Sequence, residues 1–257
     1  MYSLSVVIPC YNSALTIVES LNSIFIQKYK INEIILVDDG SSDNTVSTIE
    51  EYIKESSFSN FKLIKQKNSG PSAARNNGIK NSTSEWIAFL DSDDKWLPDK
   101  LEKQLHFLKL NPKIVLISGG HGNFFFDKKV DSQKINLKKL CFKNFFETPT
   151  VIVKKDVVSQ FFFDENMRYS EDYNLWLNIV SEHDSLYVNS ILSMSILNKK
   201  SFGESGLSKN LFSMEKGELK AITNQRKKGS ISFPFYVLVV SVSILKFIRR
   251  LIITKLR

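Results

Sequence analysis

The sequence predicts an α/β protein built on a doubly wound, mostly parallel mixed sheet, with a C-terminal amphipathic and apolar helix. Three observations carry this. Short apolar runs alternate with stretches of helical periodicity through the first half of the chain. Acid clusters follow the second and fourth of those runs, at the strand ends where open α/β sheets bind ligands. The chain then closes on Ala221 to Arg257, a stretch with eight Lys and Arg, no Asp or Glu, and a long uncharged run.

Leu4 to Ile8 is a short apolar strand that Pro9 should stop. Apolar residues at 14, 15, 17, 18, 21, 24 and 25 mark a helix over Ala14 to Gln27. Glu33 to Val37 is the second strand, ending in the turn residues Asp38-Asp39-Gly40-Ser41-Ser42-Asp43 before a helix over Thr45 to Lys54. Phe61 to Ile64 is the third strand, and the loop Asn68-Ser69-Gly70-Pro71 leads to a helix from Ser72 toward Lys80. Trp86-Ile87-Ala88-Phe89-Leu90 is apolar throughout, as a strand buried on both faces requires. A helix over Leu101 to Leu110 is closed by Asn111-Pro112.

Beyond Ile114–Ser118 the pattern loosens. Phe124–Phe126, Val151–Val153, Leu186–Val188 and Ile191–Leu197 read as short strands. Ser170 opens a helix with Leu175, Trp176, Ile179 and Val180 on its buried side, and Ser201 to Ser208 reads as a mobile loop. The expected organisation is one domain over residues 1–222, its halves meeting near 112/113, followed by a basic, apolar tail over 223–257.

Two cysteines, Cys10 and Cys141, make no disulfide framework and no zinc pattern, and His106, His121 and His183 are scattered. The opening residues lack the basic segment of a signal peptide, so a reducing cytosolic compartment is expected. Neither a G-x-G-x-x-G after a strand nor a G-x-x-x-x-G-K-[ST] occurs, which weakens dehydrogenase and ATPase readings.

The candidate chemistry lies in Asp91-Ser92-Asp93-Asp94. If the chain stays extended there, Asp91 and Asp93 point to one side, and two carboxylates without His or Cys suit Mg2+ or Mn2+. The same acids would also serve as a polar turn capping the next helix. Asp38 or Asp39 could accept a hydrogen bond from a base or ribose, or simply shape its turn. Arg75, early in its helix, could meet a diphosphate or form a surface ion pair. Glu171 and Asp172 fall in a first helical turn, where acids complement the dipole; with Tyr169, Tyr173 and Trp176 they could also form a sugar-facing wall with a general base. An exposed carboxylate there should be ionised at neutral pH.

These pieces together resemble the family 2 inverting glycosyltransferases of the A-type fold. The resemblance rests on Ser5-Val6-Val7-Ile8-Pro9-Cys10-Tyr11-Asn12, Glu33 to Asp43, Asn68 to Asn76, Phe89-Leu90-Asp91-Ser92-Asp93-Asp94 and Ser170 to Trp176, in order. It implies that Pro9, Tyr11 and Asp39 hold the nucleoside base, with Asp38, Arg75 and Ser92 in the same nucleotide-sugar site. Asp91 would lie near the ribose and diphosphate and, with Asp93, hold Mn2+ or Mg2+. Asp172 would be the catalytic base, with Glu171 beside it. The implied donor is a nucleotide-sugar, most often a UDP-sugar. The implied acceptor is a saccharide or lipid-linked sugar in surface polysaccharide or glycolipid synthesis. Two rivals are a sugar-1-phosphate nucleotidyltransferase, whose phosphate loop Pro9-Cys10-Tyr11-Asn12 does not resemble, and a non-catalytic scaffold, which would not need these acids.

Of 35 Lys and Arg, eight lie from Ala221 onward; the other 27 balance 27 acids, so the formal +8 resides in the last 37 residues. That pattern points to an anionic membrane surface rather than nucleic acid. The fifteen residues Ile231 to Leu245 would rise roughly 22 Å as a helix, short of a ~30 Å hydrocarbon core. The expectation is a helix in the interface at the cytoplasmic face of the cell membrane, or a half-inserted anchor; the alternative is a core helix packed on the domain.

Overall fold

Alternation along the first strand sends its side chains to two cores. In β1 (Leu4–Cys10), Leu4, Val6 and Ile8 enter one and Val7 the other, all fully buried. The computed structural model describes residues 2–122, 130–197 and 209–255; Phe124–Phe126 and Ser201–Ser208 lie outside them.

The nucleotide-side half follows the expected alternation. It runs β1, α1 (Ile17–Phe25), β2 (Glu33–Asp38), α2 (Thr45–Glu55), β3 (Phe61–Lys65), α3 (Pro71–Asn81), β4 (Trp86–Phe89), β5 (Asp94–Trp96) and α4 (Lys100–Leu110). The second half contains β6 (Leu116–His121), β7 (Ser132–Lys134), α5 (Leu137–Phe142), a 3-10 turn at Thr148–Thr150, β8 (Ile152–Lys154) and α6 (Lys155–Phe161). It ends with α7 (Glu171–Glu182), β9 (Ser185–Ser195), α8 (Leu211–Lys227) and α9 (Phe233–Lys255).

All nine strands join one mixed sheet of order β3-β2-β1-β4-β8-β6-β9-β5, with β7 on β9. The β3-β2-β1-β4 half is wholly parallel, and β6 pairs β9 in parallel; β8 enters antiparallel between β4 and β6. Helices α1, α2 and α4 cover one face, and α3 and α5 to α9 the other. α3 reaches β1 closely because Gly78 has no side chain: a Cβ there would lie 2.3 Å from Val7 Cγ1.

Three expectations change. Pro9 does not stop β1 but pairs with Val37 inside it. The Val7 carbonyl accepts from Leu90 N, so the side of β1 that Pro9 shares with Val7 faces β4, which has already ended at Phe89. The missing N–H is therefore not needed. Leu186–Val188 and Ile191–Ser195 are one strand, β9, whose pairing with β6 shifts register around Gly119 and Gly120; Ile196 and Leu197 lie beyond its end. The shift absorbs the polar Asn189-Ser190 that seemed to separate two strands. The boundary at 222/223 falls inside α8, which packs between α7 and α9.

Candidate active site

The loops after β1 and β2 are tied together by side chains. Asn12, in the left-handed region at φ +48°, accepts from Ser42 N at 2.9 Å and donates its own N–H to Ser41 Oγ at 3.0 Å. Ser13 N donates to Thr45 Oγ1 at 2.7 Å. This leaves Tyr11 54% exposed beside the cleft. Asp39 is buried and accepts from Gln66 Nε2, Ser69 N and Gly70 N, each at 2.8 Å. It thus shapes the loop before α3, and since a carboxylate accepts about four hydrogen bonds, one position remains for a ligand. Asp38 accepts from Ser41 N through Oδ2, while its buried Oδ1 has no hydrogen-bond partner among the described residues.

Arg75 is the hub. From α3 it donates to Asp91 Oδ1 at 2.7 Å and to Glu171 Oε1 at 3.3 Å, with the Phe163 ring centroid 5.3 Å from its guanidinium carbon. Burial opposes its charge, but Asp91 and Glu171 outweigh that and hold it protonated. It is a buried bridge between two elements, not a surface pair.

Asp91 to Asp94 is a tight turn: Asp94 N donates to Asp91 O at 3.0 Å. The extended geometry expected to align Asp91 with Asp93 is absent, because β4 ends at Phe89. Asp91 and Asp94 line a cavity of about 300 Å3; Asp93 and Ser92 are not among its lining residues. Ser20 Oγ of α1 braces the turn from behind, hydrogen-bonded to Ser92 O and Asp94 O.

Glu171 and Asp172 line the same cavity. Ser170 does not cap α7 with its side chain; it takes a left-handed φ of +56° and donates Oγ to Met214 O of α8 at 3.3 Å. Gly217 lets α8 reach that turn, since a Cβ there would sit 2.4 Å from the Tyr169 carbonyl oxygen. Asp172 accepts from Tyr173 N at 2.7 Å and Thr148 Oγ1 at 3.4 Å. Asp172 is half-buried rather than exposed, and burial pushes its carboxyl above the usual range. Burial and the neighbouring Asp172 raise Glu171 as well, against the pull of Arg75. Of the expected aromatic wall only Tyr169 faces the cavity; Tyr173 and Trp176 are buried, and Tyr173 donates to the Leu140 and Cys141 carbonyls.

Of the expected residues, then, the cavity joins Arg75, Asp91, Glu171 and Asp172, while Pro9, Tyr11, Asp38 and Asp39 lie at the neighbouring ends of β1 and β2. It also gathers residues the sequence did not single out, including His121, Glu147, Thr148 and Arg168. His121 was detectable in principle, because it ends a strand, β6, after Gly119-Gly120. Its Nδ1 lies 2.8 Å from Ser193 Oγ and its Nε2 3.9 Å from Asp94. Burial lowers its pKa, against the charges of Asp91 and Asp93.

The donor atoms on the Asp91–Asp94 turn are hard oxygens, which suit Mg2+ or Mn2+. Among the described residues no three His, Cys, Asp or Glu are grouped to hold a metal by themselves. A divalent ion would therefore complete its shell with substrate phosphates and water, the usual arrangement for Mg2+.

The model of the Glycosyl transferase family 2 domain matches residues 5–166. A glycosyltransferase of Rickettsia felis is 36% identical over 192 residues; they make up 70% of this chain, which spans only 30% of that relative's length. The Escherichia coli UDP-Glc:alpha-D-GlcNAc-diphosphoundecaprenol beta-1,3-glucosyltransferase WfgD is 33% identical over 216 residues, 82% of this chain and 81% of its own. Among solved structures, the mannosyltransferase PcManGT of Pyrobaculum calidifontis, in complex with GDP-Man and Mn2+, superposes with a TM-score of 0.72 at 16% identity. That likeness covers 94% of this chain and 68% of the other, and it concerns the fold.

Proposed function

Since the chain belongs to glycosyl transferase family 2, we propose that it transfers a sugar from a nucleotide-sugar, a UDP-sugar, to a saccharide or lipid-linked acceptor with inversion. The observation that carries this is the cavity of about 300 Å3 in which Glu171 and Asp172 face the Arg75–Asp91 pair. It brings a candidate base, Asp172, into one cavity with a cluster able to meet the donor's phosphates. The UDP-sugar and the lipid-linked acceptor rest on the likeness to WfgD, whose name carries both. A place in surface polysaccharide or glycolipid synthesis is what a lipid-linked sugar acceptor would imply.

The roles proposed are those that the family resemblance implies. Tyr11, Pro9, Asp38 and Asp39 receive the nucleoside at the ends of β1 and β2. Arg75, buried behind Asp91, orients that carboxylate and Glu171. Asp93 and Asp91 would hold the divalent ion, Mn2+ or Mg2+, which when bound supplies positive charge to the departing diphosphate. Asp172 takes the proton of the acceptor hydroxyl as the oxygen bonds to the anomeric carbon and the bond to the nucleoside diphosphate breaks. Base and leaving group on opposite faces of the sugar give a single displacement.

The test is a screen of nucleotide-sugars for transfer with Mn2+ present, with the anomeric configuration of the product read by NMR. Inversion is expected; retention would rule out the single displacement. Asp172→Asn keeps the shape and removes the basicity, so kcat should fall roughly 10²–10⁴-fold while UDP binding survives. Near-wild-type turnover of that variant would make Asp172 a helix-end acid only. A scaffold would turn over no donor, and a nucleotidyltransferase would release pyrophosphate from a nucleoside triphosphate instead.

A further inference from the structure

An amphipathic helix packed on a domain turns its apolar face inward. α9 does the reverse along much of its length. Its polar side chains point to the domain: Ser243 Oγ donates to Glu215 Oε1 at 2.8 Å, and Arg250 pairs with Glu215 at 2.6 Å and Glu218 at 2.9 Å. Lys246 donates to the Phe142 carbonyl. Outward stand Phe233, Val237, Leu238, Leu245, Ile248 and Ile252, each between 46% and 66% exposed. At ~100° per residue these six fall within about 140° of arc, and they span roughly 28 Å of helix. A continuous exposed apolar face of this size marks an interaction surface.

We propose that this outer face of α9 docks on an anionic lipid bilayer and lies in its interface. Charge identifies the occupant. The charged residues from Ala221 onward are all basic, and Lys227, Lys228 and Arg249 are exposed. An isologous contact between two copies of α9 would bring only bases together, whereas an anionic headgroup layer meets them with opposite charge. Among the described residues no helix is long and apolar enough to cross a membrane, which fits lying in the interface rather than spanning. The helix beneath α9 also reaches the cavity: Phe212 of α8 packs on Phe247 of α9 with centroids 5.1 Å apart, and Met214, on the opposite side of α8, lines the cavity. A docked α9 therefore brings the cavity rim close to the lipid, where a lipid-linked acceptor would present its sugar. That consequence rests on the proposed transfer reaction; the docking itself does not.

The test uses the full chain and vesicles without donor, so its failure is distinguishable from failure of the transfer reaction. The chain should sediment with phosphatidylglycerol/phosphatidylcholine vesicles, and on the order of a hundredfold more weakly with phosphatidylcholine alone, if Lys227, Lys228 and Arg249 meet the headgroups. Leu245→Glu with Ile248→Glu should abolish sedimentation while leaving the melting transition and UDP binding unchanged, because both side chains already face solvent. Should that pair disturb folding, Arg249→Gln serves instead, and it should weaken binding to the anionic vesicles alone. A full chain that stays in the supernatant with anionic vesicles overturns the proposal. So does a Glu variant that binds like the wild type, or a dimer in sedimentation velocity that the Glu variant converts to a monomer without any vesicle binding.

Discussion

Arg75 lies 2.7 Å from Asp91 Oδ1, and this pair joins α3 to the turn after β4. The same guanidinium reaches Glu171 on α7, so three elements share one cation. A lysine retains the charge but not the planar fork that serves two carboxylates at once. Arg75→Lys should therefore cost about 1–3 kcal/mol of stability, with one buried carboxylate left poorly paired. UDP affinity should fall as well. An unchanged melting temperature would show that the bridge contributes nothing net.

Activity should depend on a divalent cation. The Asp91–Asp94 turn offers oxygen ligands, yet Asp91 already gives Oδ1 to Arg75, so the protein alone holds an ion weakly. Excess EDTA should abolish transfer, and Mn2+ or Mg2+ should restore it. Asp93→Asn should raise the Mn2+ concentration for half-maximal activity by at least about tenfold. Full activity in EDTA would exclude the metal role.

The acid pair gives a pH dependence of stability with a definite sign. Burial first, and Asp172 second, raise the Glu171 carboxyl in the folded protein above its unfolded value. The folded state then binds more protons, so the stability held below the unfolded pKa is lost as pH rises through the folded one. Glu171→Gln keeps a hydrogen-bond acceptor for Arg75 and removes that titration. It should stabilise the protein at pH ~8, by about 1.4 kcal/mol for each unit by which folding raises the carboxyl, and by little at pH ~4. Melting curves at the two pH values decide this, and an equal shift at both would contradict it.

The strand ends were legible in the sequence because unbroken apolar runs such as Trp86 to Leu90 stop at acids, and the sheet delivers Asp38, Asp39 and Asp91 to one edge. The second half was not, for physical reasons. β5 and β7 are three residues each, too short for a period, and β9 hides its continuity behind the polar bulge at Asn189-Ser190. α8 was missed because charged side chains run around it, and its inward groups include Glu215 and Gln225. The basic cluster of the tail was visible, but not that Arg250 would turn toward Glu215 and Glu218, which precede it by 35 and 32 residues. Nor could a two-residue spacing reveal that Asp91 to Asp94 closes into a turn.

That missed helix supplies the last prediction. α8 supports the turn that presents Glu171 and Asp172, through Met214 O and through the absent side chain of Gly217. In an ordinary helix, glycine to alanine gains up to about 1 kcal/mol. Here the new Cβ would meet the Tyr169 carbonyl oxygen at 2.4 Å and its carbon at 2.9 Å, backbone atoms that cannot swing aside. Gly217→Ala should therefore destabilise by about 1–3 kcal/mol, the usual range for overpacking. Relief would come by moving α8 away or by displacing Tyr169 and Ser170, and either shifts Asp172. The catalytic rate should fall more than the affinity for UDP, whose proposed site lies at the ends of β1 and β2. Lys220→Ala, an exposed position on the same helix, is the control and should leave both unchanged. A higher melting temperature for Gly217→Ala would mean that α8 does not press on the turn, and that the acid pair is positioned by α7 alone.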